Sequence, residues 1–241
     1  LAQRISSINS IAAFCEASGA DVREVARAIG TDSRIGPKFL NAGPGFGGSC
    51  FQKDILNLVY LCRHFGLPEV ADYWESVVAL NTWQQHRIAK LVVEKLFGTV
   101  TGKRLAILGF AFKADTNDTR EAPAIRICRD LLEEGAQLAI HDPKVAAQQM
   151  VRDLQQEAAP KADSLSGTGS WLQAGSVEEA VTGADAVLVL TEWQQYRDLN
   201  WMDLAGRLRK PAWVFDARAV ADPERVRDAG LTLWRVGDGE G

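Results

Sequence analysis

The sequence is short of histidine and carries no excess of basic residues. It has 3 histidines, and 27 lysines and arginines stand against 31 aspartates and glutamates, for a net charge of −4. Nucleic acids and anionic membranes bind basic surfaces, so neither is expected as a partner. No apolar run approaches the ~20 residues of a transmembrane helix. No C-x-x-C pair marks a zinc or redox site, so no metal is expected.

Cysteine is also scarce, and the four present fall into two groups. Cys15, Cys62 and Cys128 lie in apolar helical patterns, which predicts buried packing residues. Free thiols are typical of a reducing compartment, so a cytoplasmic location is expected. The fourth, Cys50, has different neighbours.

The 241 residues divide into a helical part and a part in which strands alternate with helices. Residues 1–98 are predicted to be helical, with a loop at 31–49 and a helix of about thirty residues from Pro68. Residues 99–241 alternate apolar strands with helices, which predicts a doubly wound α/β domain. A small, polar segment at 156–170 is predicted to be a flexible surface insertion. The chain begins with Leu1 inside a helical pattern, so a domain is expected upstream.

The α/β part lacks a dinucleotide fingerprint, because Gly109 stands alone after the first strand. Ligands still bind at the carboxyl ends of strands in such sheets. Phe112, Lys113 and Arg120 follow the first strand, and Arg218 follows the strand AWVFDA. The cations Lys113, Arg120 and Arg218 indicate either a phosphate site or an ordinary solvated surface.

Residues 45–54, GFGGSCFQKD, are the most informative segment. The glycines permit close approach of the backbone to a ligand. Cys50 stands where a helix is predicted to begin, a position that favours the nucleophilic thiolate. Asp54 follows one turn later on the same face. The spacing indicates a ligand loop, a nucleophile and a carboxylate at one place, although an inert cysteine after a tight turn fits the same pattern.

Three segments in order carry a family resemblance: LAQRISSINSIAAFCEASGADV, GPGFGGSCFQKDILNLVYLC and LGFAFKADTNDTRE. Together they strongly resemble the UDP-glucose 6-dehydrogenase family, which also matches at TEW (191–193) and FDAR (215–218). The resemblance implies an α/β protein with a helical central domain, a long connecting helix and a Rossmann-like UDP-binding domain. It places the family's NAD-binding domain, with its catalytic lysine, asparagine and glutamate, upstream of Leu1.

The resemblance also implies roles for individual residues. Cys50 matches the nucleophile, and Asp54 matches the aspartate that orients water and proton transfers with the upstream lysine. The implied substrate-binding residues are Arg34 (reaching a neighbouring subunit), Phe39, Asn41, Ala42, Gly43, Pro44, Gly45, Phe46, Gly47, Phe112, Lys113 and Arg218. The implied cofactor-binding residues are Cys50, Phe51, Gln52, Lys53 and Arg120. One departure is Asn41, where the family often has lysine.

The implied reaction is the four-electron oxidation of UDP-glucose to UDP-glucuronate, with two hydrides passed to NAD to give NADH. A cysteine suits it, because the thiolate holds the intermediate aldehyde as a thiohemiacetal and then as a thioester that water hydrolyses. The chain would be the substrate and cysteine part, inactive alone.

Other interpretations stay open. One is a sister dehydrogenase of GDP-mannose or UDP-N-acetylmannosamine, and another is a non-catalytic module that binds nucleotide sugars and self-associates. An NAD-binding regulatory domain is a third, weakened by the absent glycine turn. The long helix is expected at a dimer contact, with the dimer as the building block of a hexamer, although it also fits an intramolecular spacer.

Overall fold

A computed structural model describes residues 1–160 and 168–239. Its first part contains four helices, whose bounds are α1 Ala2–Ser18, α2 Val22–Gly30, α3 Phe51–His64 and α4 Pro68–Lys95. Gly19 ends α1 in the left-handed conformation, as glycine commonly does after a helix, and the Asp21 side chain caps α2, as aspartate commonly does before one. The third helix begins at Phe51, so Cys50 is its N-cap residue.

The remaining elements alternate between strands and helices. They are β1 Arg104–Leu108, α5 Pro123–Glu133, β2 Gln137–His141, α6 Ala147–Leu154, β3 Ser170–Gln173, α7 Val177–Val181, β4 Ala186–Val189, α8 Gln194–Arg197, α9 Trp201–Ala205, β5 Trp213–Asp216, α10 Pro223–Asp228 and β6 Thr232–Arg235. The strands form a parallel sheet in the order β3-β2-β1-β4-β5-β6. This is the doubly wound Rossmann order, whose topological switch point lies between β1 and β4.

The predicted insertion at 156–170 ends on a strand that the sequence pattern did not indicate. β3 has four residues, SWLQ, and only its two central residues are buried, so it shows little apolar continuity. Residues 161–167 of the predicted insertion lie outside the described residues. The short helices α7 and α8 were not predicted either.

Two apolar clusters form the interior. The larger surrounds the sheet and continues through Ile88 and Val92 of α4 to Ile8 of α1. The smaller lies under α3 and includes Val59, Val77 and Phe46, which belongs to the glycine-rich loop. The three cysteines predicted to be buried are buried, and Cys50 is exposed.

The helical part also contacts the end of the sheet. The amide of Val22 donates to the carbonyl oxygen of Gly237 at 2.8 Å. Glu16 on α1 accepts from the Gly237 amide at 2.8 Å and pairs with Arg87 on α4 at 2.6 Å. α4 packs against both α3 and α5. These contacts place the glycine-rich loop beside the carboxyl edge of the sheet.

Among residues 1–160 and 168–239, no helix combines the length and the apolar character needed to cross a bilayer.

Candidate active site

The carboxyl edge of the sheet brings together the segments after β1, β4 and β5. Arg218 donates from Nε to the carbonyl oxygen of Leu190 at 2.8 Å and from Nη2 to that of Phe112 at 2.9 Å. Thr191 donates to the carbonyl oxygen of Ala111 at 2.6 Å. Phe112 and Arg218, two residues predicted for the site, therefore lie at one place although they are 106 positions apart.

Gly109 makes this convergence sterically feasible. Its φ is +98°, and a Cβ at this position would lie 2.4 Å from the Cβ of Thr191. Only glycine accommodates both the backbone conformation and the contact. The isolated glycine therefore allows the turn after β1 to approach the segment after β4 closely.

Asp142 holds the same turn from the other side. It follows β2 and is buried, and its Oδ2 accepts from the amides of Phe110 at 2.8 Å and Ala111 at 3.0 Å. Trp193 Nε1 also donates to it at 3.2 Å. In dinucleotide-binding sheets an acidic residue near this position contacts the ribose. Here its carboxylate is hydrogen-bonded to the protein, which agrees with the missing glycine fingerprint.

The glycine-rich loop lies against these segments. A Cβ on Gly43 would be 3.7 Å from Nη1 of Arg218, and one on Gly48 would be 3.3 Å from the ring of Phe112. At Gly47 a Cβ would come within 2.5 Å of the carbonyl oxygen of Glu121. The loop predicted to surround a ligand therefore contacts two other predicted binding residues.

A cleft of about 570 Å³ opens between this loop, α2 and the carboxyl ends of β4 to β6. Its wall includes Asn41 and Ala42 of the predicted loop. It also carries four arginines, Arg23, Arg27, Arg197 and Arg218, against one carboxylate, Glu192. The volume is in the range of ligand pockets, and the charge suits an anion. Hereafter this is the arginine cleft.

Arg218 is the most enclosed of these cations, because its side chain is 15% exposed. Burial lowers the pKa of its guanidinium, and the nearby carboxylates Glu192 and Asp216 oppose that shift. The Oε2 atom of Glu192 lies 3.1 Å from its Nε. Asp216 accepts from the Arg218 amide at 3.0 Å and from the Ala221 amide at 2.7 Å. Hydrogen bonds from the backbone amide of Arg218 and from its guanidinium therefore both fix its position.

Cys50 lies beside a second cleft, of about 530 Å³, which we call the cysteine cleft. This cleft is lined by Ser49, Gln52, Lys53, Leu56, Arg120 and Glu121. The sulfur of Cys50 is 3.6 Å from Oγ of Ser49, at the start of α3. Lys53 and Arg120 thus bring two cations to the cleft beside this exposed thiol, which lies at the N-terminus of α3.

Other predicted residues have simpler surroundings. Asp54 is exposed one turn along α3, and its amide donates to the carbonyl oxygen of Cys50 at 2.8 Å. The ring of Phe51 packs edge-on against Phe46, with 5.8 Å between centroids. Pro44 and Gly45 are buried in the loop. Lys113 is exposed, with its Nζ 5.4 Å from the ring centre of Phe112.

Three further predicted residues are exposed. Arg34 is 87% exposed and pairs with Asp32 at 2.6 Å, two residues away. Phe39 is 40% exposed and has a φ of +62°. Arg120 pairs with Asp118 at 2.6 Å, and this hydrogen bond is the main cause of its raised pKa, with Cys50 acting in the same direction. Within the described chain Arg34 is not brought to either cleft.

Sequence reasoning missed several residues around the clefts. Arg23 and Arg27 lie four apart on α2, a spacing that places both on one helix face. Glu192 stands in the TEW segment but had no role assigned. Asn9, Asn81 and Gln84 are buried and hydrogen-bonded to the glycine-rich loop. Their signal was a polar residue within an apolar helix stripe.

Within the described ranges, no group of three or more histidine, cysteine, aspartate or glutamate side chains is arranged to hold a metal ion.

Comparison with known proteins gives a consistent assignment. The UDP-glucose/GDP-mannose dehydrogenase family matches twice, through its central domain at residues 1–83 and its UDP binding domain at 106–223. UDP-glucose 6-dehydrogenase 5 of Oryza sativa subsp. japonica is 50% identical over 98% of this chain, and UDP-glucose 6-dehydrogenase of Drosophila melanogaster is 49% identical over 98%. The chain spans 51% and 50% of their lengths, about half of each.

A solved structure agrees with the sequence comparisons. A UDP-glucose dehydrogenase from the hyperthermophilic archaeon Pyrobaculum islandicum superposes with a TM-score of 0.77 at 28% identity, covering 98% of this chain and 48% of that one. The helical and α/β parts are therefore matched together in one relative. This chain belongs to the UDP-glucose/GDP-mannose dehydrogenase family, over that family's central and UDP-binding domains.

Proposed function

We propose that this chain is the substrate-binding and catalytic-cysteine part of an NAD-dependent UDP-glucose 6-dehydrogenase, which oxidises UDP-glucose to UDP-glucuronate. One observation carries the proposal. The glycine-rich loop that leads into Cys50 lies against Phe112 and Arg218 at the switch point of the sheet. The identity of about 50% to named UDP-glucose 6-dehydrogenases favours this substrate over other nucleotide sugars.

The arginine cleft would bind the UDP part. Its four guanidinium groups are opposite in sign to the negative charge of a diphosphate, and arginine binds phosphate through paired donors. Arg218 would contact the phosphates or sugar, with Phe112 and Lys113 beside it. Residues 41–47 would enclose the nucleotide and sugar through backbone groups. In this arrangement Asn41 contributes a neutral wall where relatives often have a cation.

Cys50 would act on the sugar carbon. Its Sγ adds to the aldehyde carbon after the first oxidation, and water releases the acid from the thioester left by the second. The first amides of α3 and the cations Lys53 and Arg120 would stabilise negative charge on the sulfur and on the developing oxyanion. Asp54, one turn away, would orient water.

The cofactor NAD accepts the hydrides when bound. The turn after β1 does not fit it, because Gly109 stands alone and Asp142 is hydrogen-bonded to backbone amides. The cysteine cleft fits better, since Gln52, Lys53 and Arg120 offer polar and cationic groups next to Cys50. These residues would hold the part of NAD nearest the thiol. We further propose that the NAD-binding domain is contributed by residues outside this chain.

The domain and assembly assignments belong to the same proposal. Residues 1–98 would form the central helical domain, and residues 99–241 the UDP-sugar-binding domain. The 28-residue helix α4 would contribute to a dimer contact. Arg34, which is exposed and lines neither cleft, would serve a neighbouring subunit.

Calorimetric titration of this chain with UDP-glucose and, separately, with NAD tests the proposal. Binding of UDP-glucose with little or no NAD binding is the expected result. Arg218→Ala should weaken the UDP-glucose interaction, whereas Cys50→Ser should preserve it. Binding of NAD alone would contradict the proposal and favour an NAD-binding regulatory domain.

A second candidate function is a nucleotide-sugar-binding module without catalysis. The turn after β1 favours it, because Gly109 stands alone there and Asp142 is already hydrogen-bonded to the amides of Phe110 and Ala111. Both functions predict UDP-glucose binding. The two functions are distinguished when the NAD-binding half is supplied. Only the dehydrogenase function predicts NADH formation, and Cys50→Ala should abolish it.

A further inference from the structure

The glycine-rich loop is held by side-chain amides from two helices. Asn9 on α1 accepts from the amide of Gly43 at 2.9 Å, and Gln84 on α4 donates to the carbonyl oxygen of Gly43 at 2.8 Å. Asn81 on α4 holds Phe46 in the same way. All three side chains belong to buried residues, which are at most 2% exposed. Buried amides are retained where their hydrogen bonds are made, because desolvation penalises unpaired ones.

Asn81 makes the most specific contact of the three. Its Oδ1 accepts from the Phe46 amide at 2.8 Å, and its Nδ2 donates to the Phe46 carbonyl oxygen at 3.1 Å. One side chain thus reproduces both hydrogen bonds of a strand partner. The neighbouring Gly45 has a φ of +123°, and a Cβ there would lie 2.7 Å from the Asn81 Oδ1. The loop path and the amide are therefore matched sterically as well as by hydrogen bonds.

The position of Phe46 affects the candidate site in both directions along the chain. Toward the N-terminus, Gly43 faces Arg218. Toward the C-terminus, the Gly48 amide donates to the carbonyl oxygen of Arg120 at 2.7 Å, and Cys50 follows. The Phe46 ring is 5% exposed and packs in the smaller apolar cluster. Phe46 is therefore the residue that anchors the loop between the arginine cleft and the thiol of Cys50.

We propose that Asn81 is a positioning residue for nucleotide-sugar binding, which fixes the backbone of Gly45 and Phe46 so that the loop faces Arg218. The inference rests on the proposed function, since it concerns the same site. Asn81 contacts neither cleft, so it acts through the loop and not on the ligand. The chain then binds the nucleotide sugar more tightly, because a loop that is already ordered loses little conformational entropy on binding.

Replacement by aspartate gives a sharp test, because the two side chains have the same shape. A protonated carboxyl can accept from the Phe46 amide and donate to its carbonyl oxygen. A carboxylate only accepts, so it faces the carbonyl oxygen with a repulsive contact. The defect of Asn81→Asp should therefore increase with pH as the introduced group ionises. A side chain that only fills space would not produce this dependence.

The experiment is calorimetric titration of this chain with UDP-glucose at several pH values between about 5 and 8. Asn81→Ala should weaken binding roughly tenfold or more at every pH, the cost of one or two buried hydrogen bonds. Asn81→Asp should bind close to wild type at the acid end and progressively more weakly as pH rises. Asn57→Asp, the same change at an exposed position of α3, should stay within about twofold throughout.

Hydrogen exchange at the Phe46 amide supplies a readout that needs no ligand. Relative to wild type at the same pH, exchange should accelerate in Asn81→Ala, which removes the acceptor of that amide, but not in Asn57→Asp. Wild-type dissociation constants for folded Asn81→Ala, or a constant ratio of Asn81→Asp to wild type across the pH range, would overturn the inference alone. Absence of UDP-glucose binding by the wild-type chain would instead overturn the proposed function on which it rests.

Discussion

Arg218 and Phe112 are joined by a hydrogen bond of 2.9 Å from Nη2 to a carbonyl oxygen, across 106 residues of sequence. The bond ties the segment after β5 to the segment after β1, on opposite sides of β4 in the sheet. The guanidinium therefore fastens the wall of the arginine cleft and faces its interior. Replacing it affects both the charge and the shape of that cleft.

Arg218→Ala should weaken UDP-glucose binding by roughly ten- to a hundredfold, because a charge-assisted contact and the support of the Phe112 segment are both lost. Calorimetry on the purified chain measures the change. Arg207→Ala removes an exposed arginine paired with Asp203 at 3.6 Å and should leave the affinity within about twofold. Equal effects of the two variants would indicate that net charge alone governs binding.

Cys50 should be the first cysteine to react with iodoacetamide. Cys15, Cys62 and Cys128 are buried, and burial raises the pKa of Cys15 and Cys128, so their thiols are poorly available. Peptide mass spectrometry over time measures the order. UDP-glucose should slow the reaction at Cys50, because the sugar is proposed to lie beside the sulfur. Undiminished labelling at saturating UDP-glucose would place the sugar away from the thiol.

Gly109→Ala should lower the free energy of unfolding by about 2–5 kcal/mol, from a strained φ and from overlap with Thr191. Gly183→Ala is a matched control, since Gly183 has a φ of +70° and open space around its Cβ position. Its cost should be only that of the backbone, about 1–2 kcal/mol. Urea unfolding measures both. Equal losses would mean that the contact with Thr191 relaxes without cost.

Asp21 should contribute to the loss of stability in acid. The hydrogen bond from Arg23 is the largest cause of its lowered pKa. A lowered pKa means stability that is present above the ordinary value near pH 4 and is lost as pH falls through the folded-state pKa. Asp21→Asn keeps a capping side chain but removes this charge.

The difference in unfolding free energy between wild type and Asp21→Asn should therefore be largest near pH 6 and shrink below about pH 4. Thermal or urea unfolding at several pH values measures it. Asp203→Asn, at a carboxylate that is 57% exposed, should change the free energy of unfolding much less. A difference that is independent of pH would show that the Arg23 contact does not stabilise the charged form.

Much of the fold could be predicted from local patterns. Gly19 and Asp21 mark the boundary between α1 and α2, and apolar runs such as RLAIL indicate buried parallel strands. β3 escaped prediction, because a four-residue edge strand with polar ends carries little periodicity. The glycines before Cys50 indicated a ligand loop, because their spacing is a local property of the chain.

The sequence by itself determined the type of most elements, but not of β3, α7 and α8, together with the position of Cys50 at a helix start and the family to which the chain belongs. Only the tertiary structure decided which distant groups meet. The partners of the loop, Asn81 and Asn9, are 35 and 34 residues from the groups that they hold. Their local signal, a polar residue within an apolar helix stripe, does not identify the groups that they hold. Their burial results from the packing of α1 and α4, and burial is what makes their hydrogen bonds decisive.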